Sequence, residues 1–89
     1  MKSTFLELRH LKTLLALKET GSVSLAAKRV YLTQSALSHQ IKLLEDQYGL
    51  PLFERKTQPL HFTAAGERLI KLAEEILPKV IEAERDLSR

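Results

Sequence analysis

The sequence predicts a mainly α-helical fold with three short helices, a two-stranded β-hairpin and one long final helix. Apolar residues recur three and four positions apart over most of the chain, as they do on the buried side of a helix. The few glycines and prolines fall where these periodic segments break. Between residues 50 and 62 the periodicity is lost, and two short apolar runs flank a polar turn, which is typical of a hairpin.

The first helix is expected over about residues 7–19. Its apolar residues form one stripe: Leu8, Leu11, Leu14 and Leu15. Gly21 then ends the helix, since glycine readily adopts the left-handed conformation of a C-cap. Ser22 and Ser24 are both candidate N-caps for a short second helix over about residues 25–30. The small side chains of Ala26 and Ala27 allow another helix to pack closely against it.

The third helix is expected to begin after Thr33, its N-cap, and to run to about Tyr48, where Gly49 stops it. Its buried stripe consists of Leu37, Ile41, Leu44 and Tyr48. The hairpin follows, with extended segments at 52–53 and 60–62 and an exposed basic turn between them. Pro51 keeps the residue before it out of the helical conformation.

Thr63 is the expected N-cap of the last helix, which should run close to the end of the chain. Residues four and three apart form a heptad seam that continues to Leu87: Leu69, Ala73, Ile76, Val80 and Ala83. A helix of about 25 residues is ~37 Å long, which the compact part of so small a domain cannot cover. We therefore expect a homodimer through this helix. The alternative is a helix that folds back along its own domain.

The amino-acid composition excludes several classes of protein. The chain has 89 residues, no cysteine, and no apolar run of the ~20 residues that a membrane span needs. The lack of cysteine fits a reducing cytoplasm and excludes a thiolate zinc site, and we expect no membrane contact, cofactor or metal. Residues 1–62 hold nine Lys/Arg and five Asp/Glu, whereas the remainder is slightly acidic. This basic surplus permits a nucleic-acid partner without requiring one.

The start of the third helix carries the functional signal. At ~100° per residue its polar side chains span an arc of roughly 140°, away from the apolar stripe: Gln34, Ser35, Ser38, His39 and Lys42. Residues 33–44 contain no Asp or Glu, whereas an ordinary solvated face mixes both charges. The order of the predicted elements is that of a winged helix-turn-helix: a helix, a short helix, a turn, a third helix and a hairpin. In this fold the N-terminal residues of the second helix of the motif contact the edges of the bases.

The stretches "GSVSLAAKRVYLTQSALSHQIKLLEDQYGLPLFERK" and "FTAAGERL" resemble the DNA-binding domain of the LysR-type transcriptional regulators. The resemblance rests on the paired alanines of the second helix, the Gln34-x-x-x-Ser38 spacing, and Thr63-x-x-Gly66. Within that family, "RHLKTLLAL", "TQSALSHQ" and "RKTQPLHFTAAGE" are most similar to the regulators of methionine biosynthesis.

The resemblance implies a bacterial regulator that binds double-stranded DNA at an interrupted two-fold site. It implies a winged helix-turn-helix at residues 1–62, a dimerising linker helix at 63–89, and a tetramer in the intact protein. It also implies a C-terminal effector domain outside this chain, with a small-molecule co-inducer such as homocysteine. The positions of Ser35 and His39 are often Pro and Arg in this family, so base preference does not carry over.

Site roles follow as predictions. Base readout is assigned to Gln34, Ser35, Ser38 and His39, whose amide, hydroxyl and imidazole groups suit base edges. Contacts to phosphates or the minor groove are assigned to Thr33, Lys42, Arg55, Lys56 and Gln58. Lys28 and Arg29 are weaker candidates, balanced against a purely solvated role. His10 and His61 are expected to be structural or surface residues.

Two other functions compete with DNA binding. Catalysis is disfavoured because Ser38 and His39 are neighbours on a helix and point in different directions, and because no metal-binding or phosphate-loop spacing occurs. A protein-interaction adaptor that dimerises through the heptad helix is the stronger alternative. An adaptor would show no salt-dependent affinity for duplex DNA.

Overall fold

The structure, a computed structural model, describes residues 4–54 and 59–88 and confirms the predicted fold. The elements follow in the order α1 (Leu8–Thr20), α2 (Val23–Arg29), α3 (Gln34–Tyr48), β1 (Phe53–Glu54), β2 (His61–Phe62) and α4 (Ala64–Leu87). The two strands are antiparallel, with Phe53 opposite Phe62. The helix α2 begins two residues earlier than expected because Ser22 is its cap.

Hydroxyl and glycine caps set the helix boundaries. The side chains of Ser22, Thr33 and Thr63 each accept a hydrogen bond from a backbone N–H three residues further on, which satisfies one of the free donors of the first turn. Gly21 and Gly49 both have φ of 68° and close the ends of α1 and α3. Of the two serines considered for α2, the cap is therefore Ser22.

One core joins the three short helices to the hairpin and to the start of α4. Its side chains come from every element before β2, with Ile70 from α4: Leu14, Leu17, Ala26, Ala27, Leu37, Ile41, Leu44, Leu52 and Phe53. Ala26 and Ala27 are buried as predicted, at 0% and 2% exposure. A smaller cluster of Leu11, Ala73 and Leu77 extends this core along α1 and α4.

The backbone of Leu52 connects α3, the hairpin and α4. Its N–H donates to Oε2 of Glu45 at 2.8 Å, and its carbonyl oxygen accepts from the N–H of Thr63 at 3.1 Å. The hydroxyl of Thr63 also donates to the carbonyl of Pro51 at 2.7 Å. A Cβ on Gly66 would lie 2.0 Å from the Leu52 oxygen. The first turn of α4 can approach this peptide only because residue 66 is glycine.

Two residues of the predicted stripes are exposed. Leu8 and Tyr48 are each 42% exposed, so both were wrongly included. Leu8 is the first residue of α1, where the helix has only begun to pass over the core. Tyr48 is the last residue of α3, and its ring lies perpendicular to the Phe5 ring at the surface, with 6.3 Å between the ring centroids. The periodicity of a helix predicts which of its sides is buried. It does not predict at which residue the contact with the rest of the domain ends.

The long helix α4 follows its own domain for only part of its length. Gly66, Ile70, Ala73 and Leu77 are buried, and the helix continues through Pro78. Every residue from 81 to 88 is exposed. The alternative of a helix covered by its own domain therefore holds up to about residue 80 and not for residues 81–87. Within the described ranges, no helix is long and apolar enough to cross a membrane.

We expect Gly66→Ala to destabilise the fold by about 3 kcal/mol, the upper end for an overpacked core, because the new methyl group would collide with the Leu52 carbonyl and force α4 away. Gly49→Ala is the matched control. Gly49 has a φ of 68°, which is strained for alanine, but no atom lies within 4 Å of a new Cβ. The variant should therefore lose only about 1 kcal/mol of unfolding free energy. Urea denaturation of both variants measures the difference, and equal losses would contradict the close approach.

The imidazole of His10 makes stability depend on pH. His10 is buried, and its Nδ1 accepts the N–H of Glu7 at 2.9 Å, which requires an unprotonated nitrogen. Burial, and then the charge of Arg9, hold the pKa of His10 below its ordinary 6.5, with Glu7 opposing the shift. Below pH 6.5 the unfolded chain therefore binds more protons than the folded chain, so stability should fall from pH 7 towards pH 5 and stay level above 7.

The variant His10→Gln isolates this group, because a glutamine at the same capping position can still accept the Glu7 N–H and does not titrate. We expect the free energy of unfolding of this variant to be lower at pH 7 but to vary less between pH 7 and 5. Urea titrations at several pH values measure the slope. A slope equal to that of the parent chain would assign the pH dependence to other groups.

Candidate nucleic-acid interface

The helix α3 is held to the domain on one side and free on the other. Leu37, Ile41 and Leu44 have no exposed surface. Thr33 caps the helix by accepting the N–H of Ala36 at 3.0 Å. The buried stripe fixes rotation about the helix axis, and the cap fixes where the first turn begins. The polar arc is thereby presented to solvent in a set orientation.

The structure brings the predicted base-reading residues together on this free side. Gln34, Ser35 and His39 are exposed, and Ser38 is partly buried. No side-chain hydrogen bond within the described residues engages Gln34, Ser35 or His39. Their amide, hydroxyl and imidazole groups can therefore turn to a ligand without breaking a contact inside the protein.

A shallow groove of about 400 Å³ lies beside this arc, between α2, α3 and the base of the hairpin. Ser22, Ser24, Gln34 and Ser38 line its polar part, and Val23, Phe53 and Leu60 line its apolar part. The sequence marks Ser22 and Ser24 only as candidate caps. Both serines lie beside Gln34 because of the angle at which α2 crosses α3. The sequence contains no local signal for that angle.

The lysine and arginine side chains near the polar arc are not equally available to bind a phosphate. Nζ of Lys42 lies 3.4 Å from Oδ1 of Asp46, one turn along α3, in an exposed pair that contributes little to stability. Arg29 is tied to Glu19 of α1 at 2.8 Å, whereas Lys28 is exposed and forms no ion pair in the described part of the chain. Lys42 must exchange Asp46 for a phosphate in order to act as predicted, and Arg29 would have to leave α1.

The hairpin that follows α3 is defined by its two strands. Its base is fixed by the pairs Phe53–Phe62 and Glu54–His61, with the two phenylalanine rings 6.3 Å apart. The predicted contacts Arg55, Lys56 and Gln58 lie outside the described residues. Of the other histidines, His10 is structural, since it caps α1 and is buried, and His61 is exposed on β2.

The predicted seam residues of α4 are unequally accessible. Ala73 has no exposed surface and packs against Leu11, so it contributes no contact area to a partner. Leu69 and Ile76 are partly buried against the domain, Val80 is partly buried, and Ala83 is exposed. The part of the seam that a partner could contact therefore consists of Leu69, Ile76, Val80 and Ala83. We call this the outer side of α4; it lies next to the stripe that the helix buries against its own domain.

Comparison with known proteins identifies the family. Residues 8–67 match the family model of the bacterial regulatory helix-turn-helix proteins of the lysR family. The chain belongs to the LysR family. The match covers α1, α2, α3, the hairpin and the first turn of α4, which together contain the candidate interface and all of the main core except Ile70. This is a family of transcription regulators and not of enzymes.

Among curated relatives of this LysR-family chain, the HTH-type transcriptional regulator MetR of Haemophilus influenzae is 83% identical over 89 residues. MetR of Escherichia coli K12 is 51% identical over 78 residues, or 88% of the chain. The chain spans only 29% and 25% of the lengths of these two relatives. The similarity to them therefore concerns one part of a longer protein.

Solved structures share the fold. The crystal structure of the BenM DBD in complex with benA site 1 DNA has a TM-score of 0.84 and 33% sequence identity, and covers 94% of both chains. Agreement at this level extends over α4 as well as the winged helix-turn-helix. The long helix is thus part of the shared architecture.

Proposed function

We propose that this chain is the sequence-specific DNA-binding domain of a transcription regulator. The observation that carries the proposal is the acid-free polar arc at the start of α3, exposed and fixed in orientation by a fully buried stripe. An α-helix fits the major groove of B-DNA, where amide and hydroxyl groups can pair with base edges. The basic surplus of residues 1–62 favours a polyanionic partner.

We assign base readout to Gln34, Ser35, Ser38 and His39, and backbone contacts to Thr33, Lys42 and the hairpin tip. The free N–H groups of the first turn of α3 lie beside Thr33 and suit a phosphate oxygen. The similar BenM domain was crystallised with DNA, which supports a DNA ligand for the same fold. A protein acting on the bacterial chromosome would work in the cytoplasm.

We further propose that the target genes belong to methionine biosynthesis. The 83% identity to a MetR regulator covers the whole chain, including the polar arc at the start of α3, and supports this assignment. The tetramer and a co-inducer such as homocysteine would belong to the intact regulator, since the chain spans under a third of its relatives.

We also propose that two copies pair through the outer side of α4 and bind an interrupted two-fold site. The support is the exposed last two turns of this helix, residues 81–87, together with the unburied part of the heptad seam. A two-fold dimer presents two copies of α3 to the same side of a duplex when half-sites are separated by whole helical turns.

Gln34→Ala should weaken binding to the selected cognate duplex by about 1–3 kcal/mol and relax the preference at one base pair. Lys42→Ala is the matched comparison on the same arc. Its loss should be similar for all duplexes and should reduce the slope of log affinity against log salt by about 1 per half-site. Site selection from random duplex DNA, followed by titrations at several salt concentrations, measures both effects.

The readout assignment fails if Gln34→Ala keeps the sequence preference of the parent chain. DNA binding itself fails if the parent chain shows no salt-dependent affinity for any duplex, which is the result that an adaptor would give. The two failures are separable because the first concerns preference and the second concerns affinity.

Ile76→Glu should convert the dimer to monomers, because a carboxylate would be buried in the apolar seam without a partner. Ile76 also packs partly against its own domain, so Ala83→Glu, at an exposed position, tests the seam without disturbing the core. Lys71→Glu, exposed on the opposite side of α4, is the control. Sedimentation equilibrium measures the dimer fraction, and an unchanged dimer in both seam variants would rule out this interface.

A further inference from the structure

An exposed carboxylate lies on the side of α3 that is proposed to face DNA. At ~100° per residue, Lys42 lies ~80° and Asp46 ~120° around the helix from Gln34, so both fall within the polar arc of roughly 140°. Their side chains are 67% and 61% exposed. The other acid of α3, Glu45, is partly buried and accepts the N–H of Leu52 at 2.8 Å. Asp46 is therefore the acid of this helix that a phosphate would meet, and like charges repel.

The position of Asp46 is unfavourable for the helix as well. It lies in the last turn of α3, which ends at Tyr48 and contains no basic residue. The C-terminal end of a helix carries partial negative charge, so an acid there destabilises the helix and a base would stabilise it. Among the described residues, the one contact of this carboxylate is with Lys42. A role of Asp46 is therefore to be sought in that contact.

Lys42 is the only lysine or arginine of α3. Its Nζ lies 3.4 Å from Oδ1 of Asp46. Contacts between cationic side chains and phosphates supply the part of DNA affinity that does not depend on sequence. Lys42 must release Asp46 before it binds a phosphate, so the free energy of the ion pair is subtracted from the free energy of DNA binding.

We propose that Asp46 limits the affinity of the domain for DNA by competing with a phosphate for Lys42. The proposal rests on the proposed DNA-binding function and adds to it a residue that weakens binding. An exposed ion pair changes an equilibrium by up to about fivefold, which sets the largest reduction per copy. The preferred sequence does not depend on Asp46, because Lys42 exchanges the carboxylate for a phosphate and not for a base.

Weaker binding by each copy makes stable binding depend on two copies. A single α3 that binds DNA weakly dissociates readily from any duplex, whereas two linked copies bind a two-fold site at a high effective concentration. The reductions multiply over the two copies, to up to about 25-fold for the pair. Asp46 therefore keeps contacts outside a complete two-fold site short-lived.

Asp46→Asn removes the charge and keeps the shape of the side chain, and the helix end accepts the neutral residue more readily than the acid. We expect the affinity for the selected cognate duplex and for random duplexes to rise about two- to fivefold per copy. The slope of log affinity against log salt should steepen by up to about 0.9 per copy. Site selection should return the sequence preference of the parent chain. An unchanged affinity or an altered preference would overturn the proposal.

Glu74→Gln is the matched control. Glu74 pairs with Lys18 at 3.1 Å in a similarly exposed ion pair, between α1 and α4. The substitution changes the net charge by the same amount and releases a lysine outside α3, so the affinity for DNA should stay close to that of the parent chain. An equal rise in the two variants would assign the effect to net charge, and the competition for Lys42 would be wrong.

The double variant with Lys42→Ala separates competition from direct repulsion. In that background most of the rise caused by Asp46→Asn should disappear, because no lysine is left to release. If the whole rise persists, the carboxylate acts on the phosphates directly and the proposal fails. A parent chain without affinity for duplex DNA removes the proposed function as well. A parent chain that binds DNA, with an Asp46→Asn variant that binds no more tightly, removes this proposal alone.

Discussion

The peptide of Leu52 is the constraint on which the rest of the structure depends. Its N–H is bound by Glu45 of α3, its carbonyl accepts from Thr63, and Gly66 packs against the same oxygen. Three elements that are distant along the chain thus meet at one backbone unit whose hydrogen-bonding groups are both satisfied. Because such a buried group is costly to leave unpaired, α3, the hairpin and α4 have little freedom to move relative to one another.

The direction of α4 follows from this contact. Once its first turn is fixed against Leu52, the helix passes along α1, and Ile70, Ala73 and Leu77 are covered in succession. Lys18 of α1 reinforces the arrangement by pairing with Glu74 at 3.1 Å. The domain ends before the helix does, which leaves the outer seam and the acidic last turns without cover. The geometry of any dimer is therefore set inside each monomer before two copies meet.

The polar arc of α3 combines rigid support with polar groups that are available for binding. The buried stripe and the Thr33 cap hold the backbone, while Gln34, Ser35 and His39 keep their hydrogen-bonding groups available. Nearby, Tyr31 has a φ of 59° and is 94% exposed, so the turn into α3 is made at some cost in backbone strain. Support of this kind reduces the entropy lost on binding, which suits a surface that must discriminate between similar ligands.

Local sequence features determined the four helices, the hairpin and the caps Gly21, Thr33, Gly49 and Thr63, because hydroxyl caps, glycine stops and apolar periodicity act within a few residues. The choice of Ser22 over Ser24, and the cap of α1 by Glu7 and His10, came from the structure. Local features also marked Gln34, Ser35, Ser38 and His39 as a group, since one helix face is defined by spacing alone. Three further features needed the tertiary structure: the exposure of Leu8 and Tyr48, the placement of Ser22 and Ser24 beside Gln34, and the burial of Ala73 within its own chain. Each depends on how one element crosses another, and crossing is decided by long-range packing such as that of Gly66 on Leu52.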